Sequence, residues 1–128
     1  MTEPVPTAVA PAQPISSAAC QTNQPAWEVD PIVSAGTSTL TINQWQLDLF
    51  DTGGRVLNSF RQTGADFARF FSVCGPGSNR VLAQTDACSA LCITLNGAAA
   101  GALQLSYSAT DASNRPVTFA TPRVTLSR

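Results

Sequence analysis

Thr39-Leu40-Thr41-Ile42-Asn43-Gln44-Trp45-Gln46-Leu47-Asp48-Leu49-Phe50, followed by Asp51-Thr52-Gly53-Gly54, is the stretch on which the fold turns. Side chains of a strand point alternately to its two faces, so an apolar residue at every second place marks a half-buried strand. Leu40 and Ile42 hold one phase of that alternation, while Trp45, Leu47 and Leu49 hold the other. The slip at Asn43-Gln44 predicts a β-bulge. Asp51 to Gly54 carries residue types that tolerate left-handed backbone and predicts a hairpin turn. Arg55 to Phe60 is then the returning strand.

The same period runs outward along the chain. Arg80 to Gln84 predicts a short strand, and Leu91, Ile93 and Leu95 alternate up to a turn at Asn96-Gly97. Leu103, Leu105, Tyr107 and Ala109 line another face. Asp111 to Arg115 turns, Val117 and Phe119 follow, Pro122 interrupts, and Val124 and Leu126 come last. Gly75 to Asn79 reads as a loop. Gly64 to Val73 is open: Phe67, Phe70 and Phe71 have helical spacing, whereas Phe67, Arg69, Phe71 and Val73 suit a strand. The expected fold is all-β, an antiparallel β-sandwich of immunoglobulin-like or jelly-roll type over residues 26–128. Its buried faces should hold Trp45, Leu47, Leu49, Leu91, Ile93, Leu95, Leu103, Leu105 and Tyr107.

Composition narrows the function classes. The 128 residues carry a net charge of −1, and 12% of them are charged, about half the usual ~25%. Binding nucleic acid needs a cationic excess to neutralise phosphates, so no nucleic-acid partner is expected. With no histidine, His-based triads and His-ligated metal sites are excluded. All seven basic residues are arginine, so a phosphate loop ending in Gly-Lys-Ser/Thr cannot form. No stretch approaches the ~20 apolar residues of a spanning helix, and no membrane association is expected. The first residues lack a basic region followed by an apolar run, so a cleaved export signal is not expected there.

Six of the nine prolines fall in the first 31 residues: Pro4, Pro6, Pro11, Pro14, Pro25 and Pro31. Proline fixes φ and removes an amide donor, which favours extended polyproline II. Residues 1–25 are therefore expected to form an extended arm that packs on another polypeptide through Val5, Val9 and Ile15, leaving their own core alone. Charge divides the chain as well. Residues 1–54 hold five acids and no arginine, while residues 55–128 hold seven arginines and three acids. Pairing between neighbouring strands would absorb this asymmetry, and so would head-to-tail contact between copies.

Cys20, Cys74, Cys88 and Cys92 lack the paired short spacings of a zinc site and the Cys-x-x-Cys of a redox motif. On a single strand, Cys88 and Cys92 would share a face ~13 Å apart. A disulfide needs Cα atoms within about 7 Å, so each would pair elsewhere: Cys74 is the nearest candidate for one, leaving Cys20 for the other. A helical turn over 88–92 would instead permit a direct bond. Four reduced, buried thiols and bonds between copies are the remaining readings.

Leu49-Phe50-Asp51-Thr52-Gly53 resembles the aspartic-protease signature. That resemblance implies a retroviral-type dimer with Asp51 as the catalytic carboxylate. Gly54 departs from the Ala or Ser usual in that family, and no downstream apolar-apolar-Gly segment follows. The hairpin reading gives Asp51 no catalytic role, and no catalytic, cofactor-binding or metal-ligating residue is expected. The build as a whole, a small β domain with a Pro/Ala arm and few charges, resembles the small decoration or cement proteins and minor virion proteins of tailed bacteriophages. That resemblance implies a non-enzymatic structural protein of a virion, part of a homo- or hetero-oligomeric assembly, that binds capsid protein or copies of itself. Leu103 to Asn114 looks like the late hairpin of bacterial immunoglobulin-like surface domains, which implies an extracellular or cell-surface binding or adhesion module as the alternative.

Overall fold

A computed structural model describes residues 6–23, 25–74, 77–94 and 100–126. The protein is mostly β. Its largest sheet is built on two long strands, β5 (Leu40–Asp51) and β10 (Ala100–Thr110), paired antiparallel over their whole lengths. On the far side of β10 run β11 (Pro116–Ala120) and then β12 (Val124–Thr125), one edge interrupted at Pro122, which lacks an amide donor. On the far side of β5 run β6 (Val56–Thr63) and β7 (Arg80–Val81).

Between β6 and β7 the ambiguous Gly64–Val73 segment resolves as helix α1 (Gly64–Phe70). Thr63 caps it. Asp66 N–H donates to Thr63 Oγ1 at 3.2 Å, and Thr63 N–H donates to Asp66 Oδ2 at 3.1 Å, a reciprocal box that satisfies two otherwise orphaned donors. Phe67 and Phe71, one helical turn apart, stack at 4.3 Å and stand edge-on to Tyr107. Their burial against the large sheet is what selects helix over strand.

Two three-stranded sheets complete the molecule. One has the order β1 (Thr7–Val9), β4 (Ile32–Ser34), β8 (Asp86–Cys88); the other has β2 (Ala12–Ile15), β3 (Ala26–Val29), β9 (Leu91–Thr94). The same three chain segments cross both sheets, each breaking once on the way, next to Pro11, Pro31 and Ser89. Asp30 N–H donates to the Pro11 carbonyl and Ser89 N–H to the Pro31 carbonyl, both at 3.0 Å, so the breaks stay hydrogen-bonded. A single core cluster joins residues of all three sheets, among them Ala8, Val29, Val33, Trp45, Leu47, Ile93, Leu103 and Tyr107.

The bulge falls where the alternation slips: Ser108 faces Gln44 and Ala109 faces Ile42, leaving Asn43 unopposed. Trp45, Leu47, Leu49, Ile93, Leu103, Leu105 and Tyr107 are buried; Leu91 is half-buried against the core. Leu95, the Asn96-Gly97 turn and the Gly75-Pro76 start of the expected loop lie outside the described residues.

One part of the arm expectation is corrected: the segment does not leave its own core alone, because within residues 7–15 the strands β1 and β2 pair with β4 and β3 of the same chain. Ala8 and Ala10 lie in the core. Prolines are compatible with this because β1 and β2 are edge strands, and an edge strand uses only one of its two rows of amides. Pro14 sits opposite Trp27, and Pro11 falls in the break between the strands.

Candidate functional site

Both disulfides form within the chain. Cys20, closing a 3-10 turn at Ser17–Cys20, bonds Cys92 on β9; Cys74, just after α1, bonds Cys88 on β8. Cys88 and Cys92 do not share one strand, because the chain breaks between β8 and β9. The first bond ties the N-terminal segment to the small layer. The second ties the end of the helix to it.

Asp51 is fully engaged in its turn. Gly53 and Arg55 N–H both donate to Asp51 Oδ1 at 2.9 Å, and Arg55 Nε lies 3.5 Å from Oδ2. Gly54 supplies the left-handed residue at φ +89°. The Arg55 amide, with Gly53 and the guanidinium, holds this carboxyl below the ordinary aspartate range, against the opposing effect of desolvation. The second hairpin repeats the device. Ser113 and Arg115 N–H donate to Asp111 Oδ1 at 2.8 and 2.9 Å, Arg115 Nε lies 3.3 Å from Oδ2, and Asn114 takes φ 62°. The shared pattern, Asp-x-x-Gly/Asn-Arg at 51–55 and 111–115, is legible in the sequence but escapes a search for catalytic motifs. Both carboxylates act as turn scaffolds.

Pairing between neighbouring strands does not absorb the charge asymmetry among the described residues. Among the described residues the ion pairs are local: Asp51–Arg55, Asp66–Arg69 and Asp111–Arg115. Of the other acids before residue 55, Glu28 accepts from Gln13 and Asp48 from Ser59. Arg123 lies over the Phe50 ring at 3.9 Å. No cluster of three potential metal ligands occurs among the described residues.

The feature that stands open is a cavity of about 270 Å³ between β5, β6, the end of α1 and β9. Trp45, Leu47 and Leu49 contribute from β5, and Ile93 from β9. Phe60, Gln62 and Phe70 rim it on one side, Cys92 and Thr94 on the other. No charged residue lines it. Trp45 stands edge-on to Phe70 and Phe71, and its indole N–H is buried without a hydrogen-bond partner, a state that costs about 1–3 kcal/mol. The Tyr107 hydroxyl is likewise buried and unpartnered, and burial pushes its pKa well above the normal phenol value. A larger hollow of about 510 Å³ lies beside Asp111 and Arg115, but those two groups already neutralise each other.

Next to the first cavity β6 is exposed along almost its whole length. Val56, Leu57 and Phe60 are 58%, 45% and 43% exposed, and among the described residues β6 pairs with β5 alone. Of the residues expected to contact a partner, Val9 is exposed, Ile15 is half-buried within β2, and Val5 lies outside the described residues. Neither Val9 nor Ile15 lines the cavity.

No known family's sequence model matches the chain, and no curated protein matches it in sequence. Solved structures share its fold, two of them as follows. The X-ray structure of the Northeast Structural Genomics Consortium target SoR45 superposes with a TM-score of 0.62 at 9% identity, covering 96% of this chain and 86% of that one. The crystal structure of a Bordetella pertussis protein described as ApaA gives 0.61 at 12% identity, covering 96% and 93%. At such identities the likeness is one of fold alone.

Proposed function

We propose that this chain is a non-enzymatic interaction module, an antiparallel sandwich of immunoglobulin-like order that binds another protein subunit. The single core shared by the large sheet and the two three-stranded sheets supports the sandwich reading. The observation that carries the interaction role is the uncovered β6 edge, where Val56, Leu57 and Phe60 are exposed and Phe60 lines the open cavity. A monomer normally blunts such an edge with charge, proline or a cover. Asp51 supports the non-enzymatic reading, since its carboxylate is occupied by two amides and a guanidinium.

The virion-decoration role has the protein bind neighbouring subunits through both its N-terminal arm and its β domain. With residues 7–15 folded into the protein's own sheets, attachment to capsid protein or to further copies falls to the body and its β6 edge. The two cross-links favour a second reading, an extracellular or cell-surface module, because disulfides persist in oxidising compartments. A native mass measurement on material from the source, under non-reducing conditions, tests the shared claim. A complex heavier than one chain is expected. A lone monomer with hydrolytic activity that is lost in Asp51→Asn would overturn it.

A further inference from the structure

The two layers end unevenly on the side of the cavity. In the large sheet β6 lies outside β5; in the small sheet the last strand is β9, and among the described residues nothing pairs with its outer side. Phe60 sits opposite Leu47 and Gln62 opposite Trp45 across the β5–β6 ladder, so these β6 side chains share the inward face with core residues. Yet Phe60 remains 43% exposed. The small layer stops one strand short of covering it.

We infer that this gap is a strand-insertion groove: an extended, uncharged segment of a partner protein pairs with the free edge of β9 and seats one large apolar side chain in the cavity against Trp45 and Phe60. This rests on the interaction role proposed above and names its partner chemistry. A free strand edge offers a row of main-chain donors and acceptors, which only another extended backbone matches in register. The cavity, about 270 Å³, exceeds the ~150 Å³ that holds a benzene-sized group, so one bulky side chain fits. The absence of charge in its lining selects against acidic or basic residues at that position, whose desolvation would go unrepaid. The bond of Cys92 to Cys20 anchors β9 covalently.

The test is an array of N-acetylated, C-amidated nonapeptides with randomised apolar residues at alternate positions, probed with the oxidised full chain. Binding peptides should carry a large apolar residue at one fixed position. They should shift the Trp45 indole N–H resonance and lose affinity at least about tenfold for a Phe60→Glu chain, because the new carboxylate would be desolvated on binding. They should also lose it when the amides of alternate residues are N-methylated. A Leu82→Glu chain, altered at an exposed site away from the groove, should bind as the unaltered chain does. Circular dichroism of each variant confirms that it is folded. Peptides that bind a folded Phe60→Glu chain equally well but fail on Leu57→Glu would move the interaction to the outer edge of β6, overturning the groove and keeping the interaction role. Tolerance of N-methylation would overturn strand pairing. Concentration-dependent self-association that excludes peptide and is lost in Phe60→Glu would assign the groove to a second copy and overturn a foreign partner. An array with no binder, together with a monomeric native mass, would end both readings.

Discussion

Asp51 and Asp111 each hold a hairpin with one carboxylate oxygen accepting two amides, and Asp66 does similar work at the start of α1. In all three the amide bonds come first among the causes that lower the carboxyl pKa. A carboxyl whose pKa is lower folded than unfolded binds fewer protons in the native state. Its stabilisation is present above the ordinary value of 3.8 and is lost as pH falls through the lowered folded value. Asp30, raised by desolvation and then by Glu28, works in the opposite sense. Urea midpoints should therefore fall as pH drops below about 4, and the fall should be shallower in an Asp51→Asn, Asp111→Asn double variant. Gly64 is sensitive for another reason. A Cβ there would lie 2.5 Å from the Ile42 carbonyl oxygen, which is backbone beside the bulge and cannot swing aside. Gly64→Ala should cost about 1–3 kcal/mol in denaturant unfolding, despite better helix propensity, because the clash forces a backbone shift.

Elements in this protein are held by staples as much as by pairing. The Cys20–Cys92 bond spans 72 residues of sequence and Cys74–Cys88 spans 14. In the loop-entropy account the longer closure restricts the unfolded chain more, so its removal by paired Cys→Ser substitution should cost about 4 kcal/mol against about 3 for the shorter. Calorimetry of the two double variants checks the order as well as the size. Loss of the longer bond should also loosen β9, seen as faster amide exchange at Ile93 and Thr94. At α1, Thr63→Ala removes the acceptor for Asp66 N–H and should cost about 1 kcal/mol. The cap was present in the sequence as Thr63-x-x-Asp66 ahead of Phe67. Its meaning depended on choosing helix over strand, and local spacing left both open.

For the whole molecule the decisive contacts join segments far apart in the chain. Residues 7–15 supply an edge to each three-stranded sheet and place Ala8 and Ala10 in the core. Deleting residues 1–18 removes both edges and uncovers β3 and β4. Such a chain should lose cooperative unfolding or melt more than ~10 °C lower, as followed by thermal circular dichroism. An isolated arm would predict an unchanged melting temperature.

The sequence by itself determined the strand character, the Asn43 bulge, both Asp-led turns and the buried faces of β5 and β10. All of these are set by a side-chain period of two and by short-range backbone chemistry. Alternation between Leu103 and Ala109 needs no knowledge of what covers them. Tertiary structure alone decided what lies opposite: that Pro-rich residues 7–15 are edge strands, that 64–70 is helix, that Cys20 meets Cys92, and that the small layer ends one strand short beside Phe60. Proline restricts a segment to extended backbone in an arm and in a sheet edge alike. Choosing between them takes the long-range amide pairing to β3 and β4, which leaves no mark in local composition. The cavity at Trp45 is likewise a property of two sheets ending at different places, and no single strand carries it.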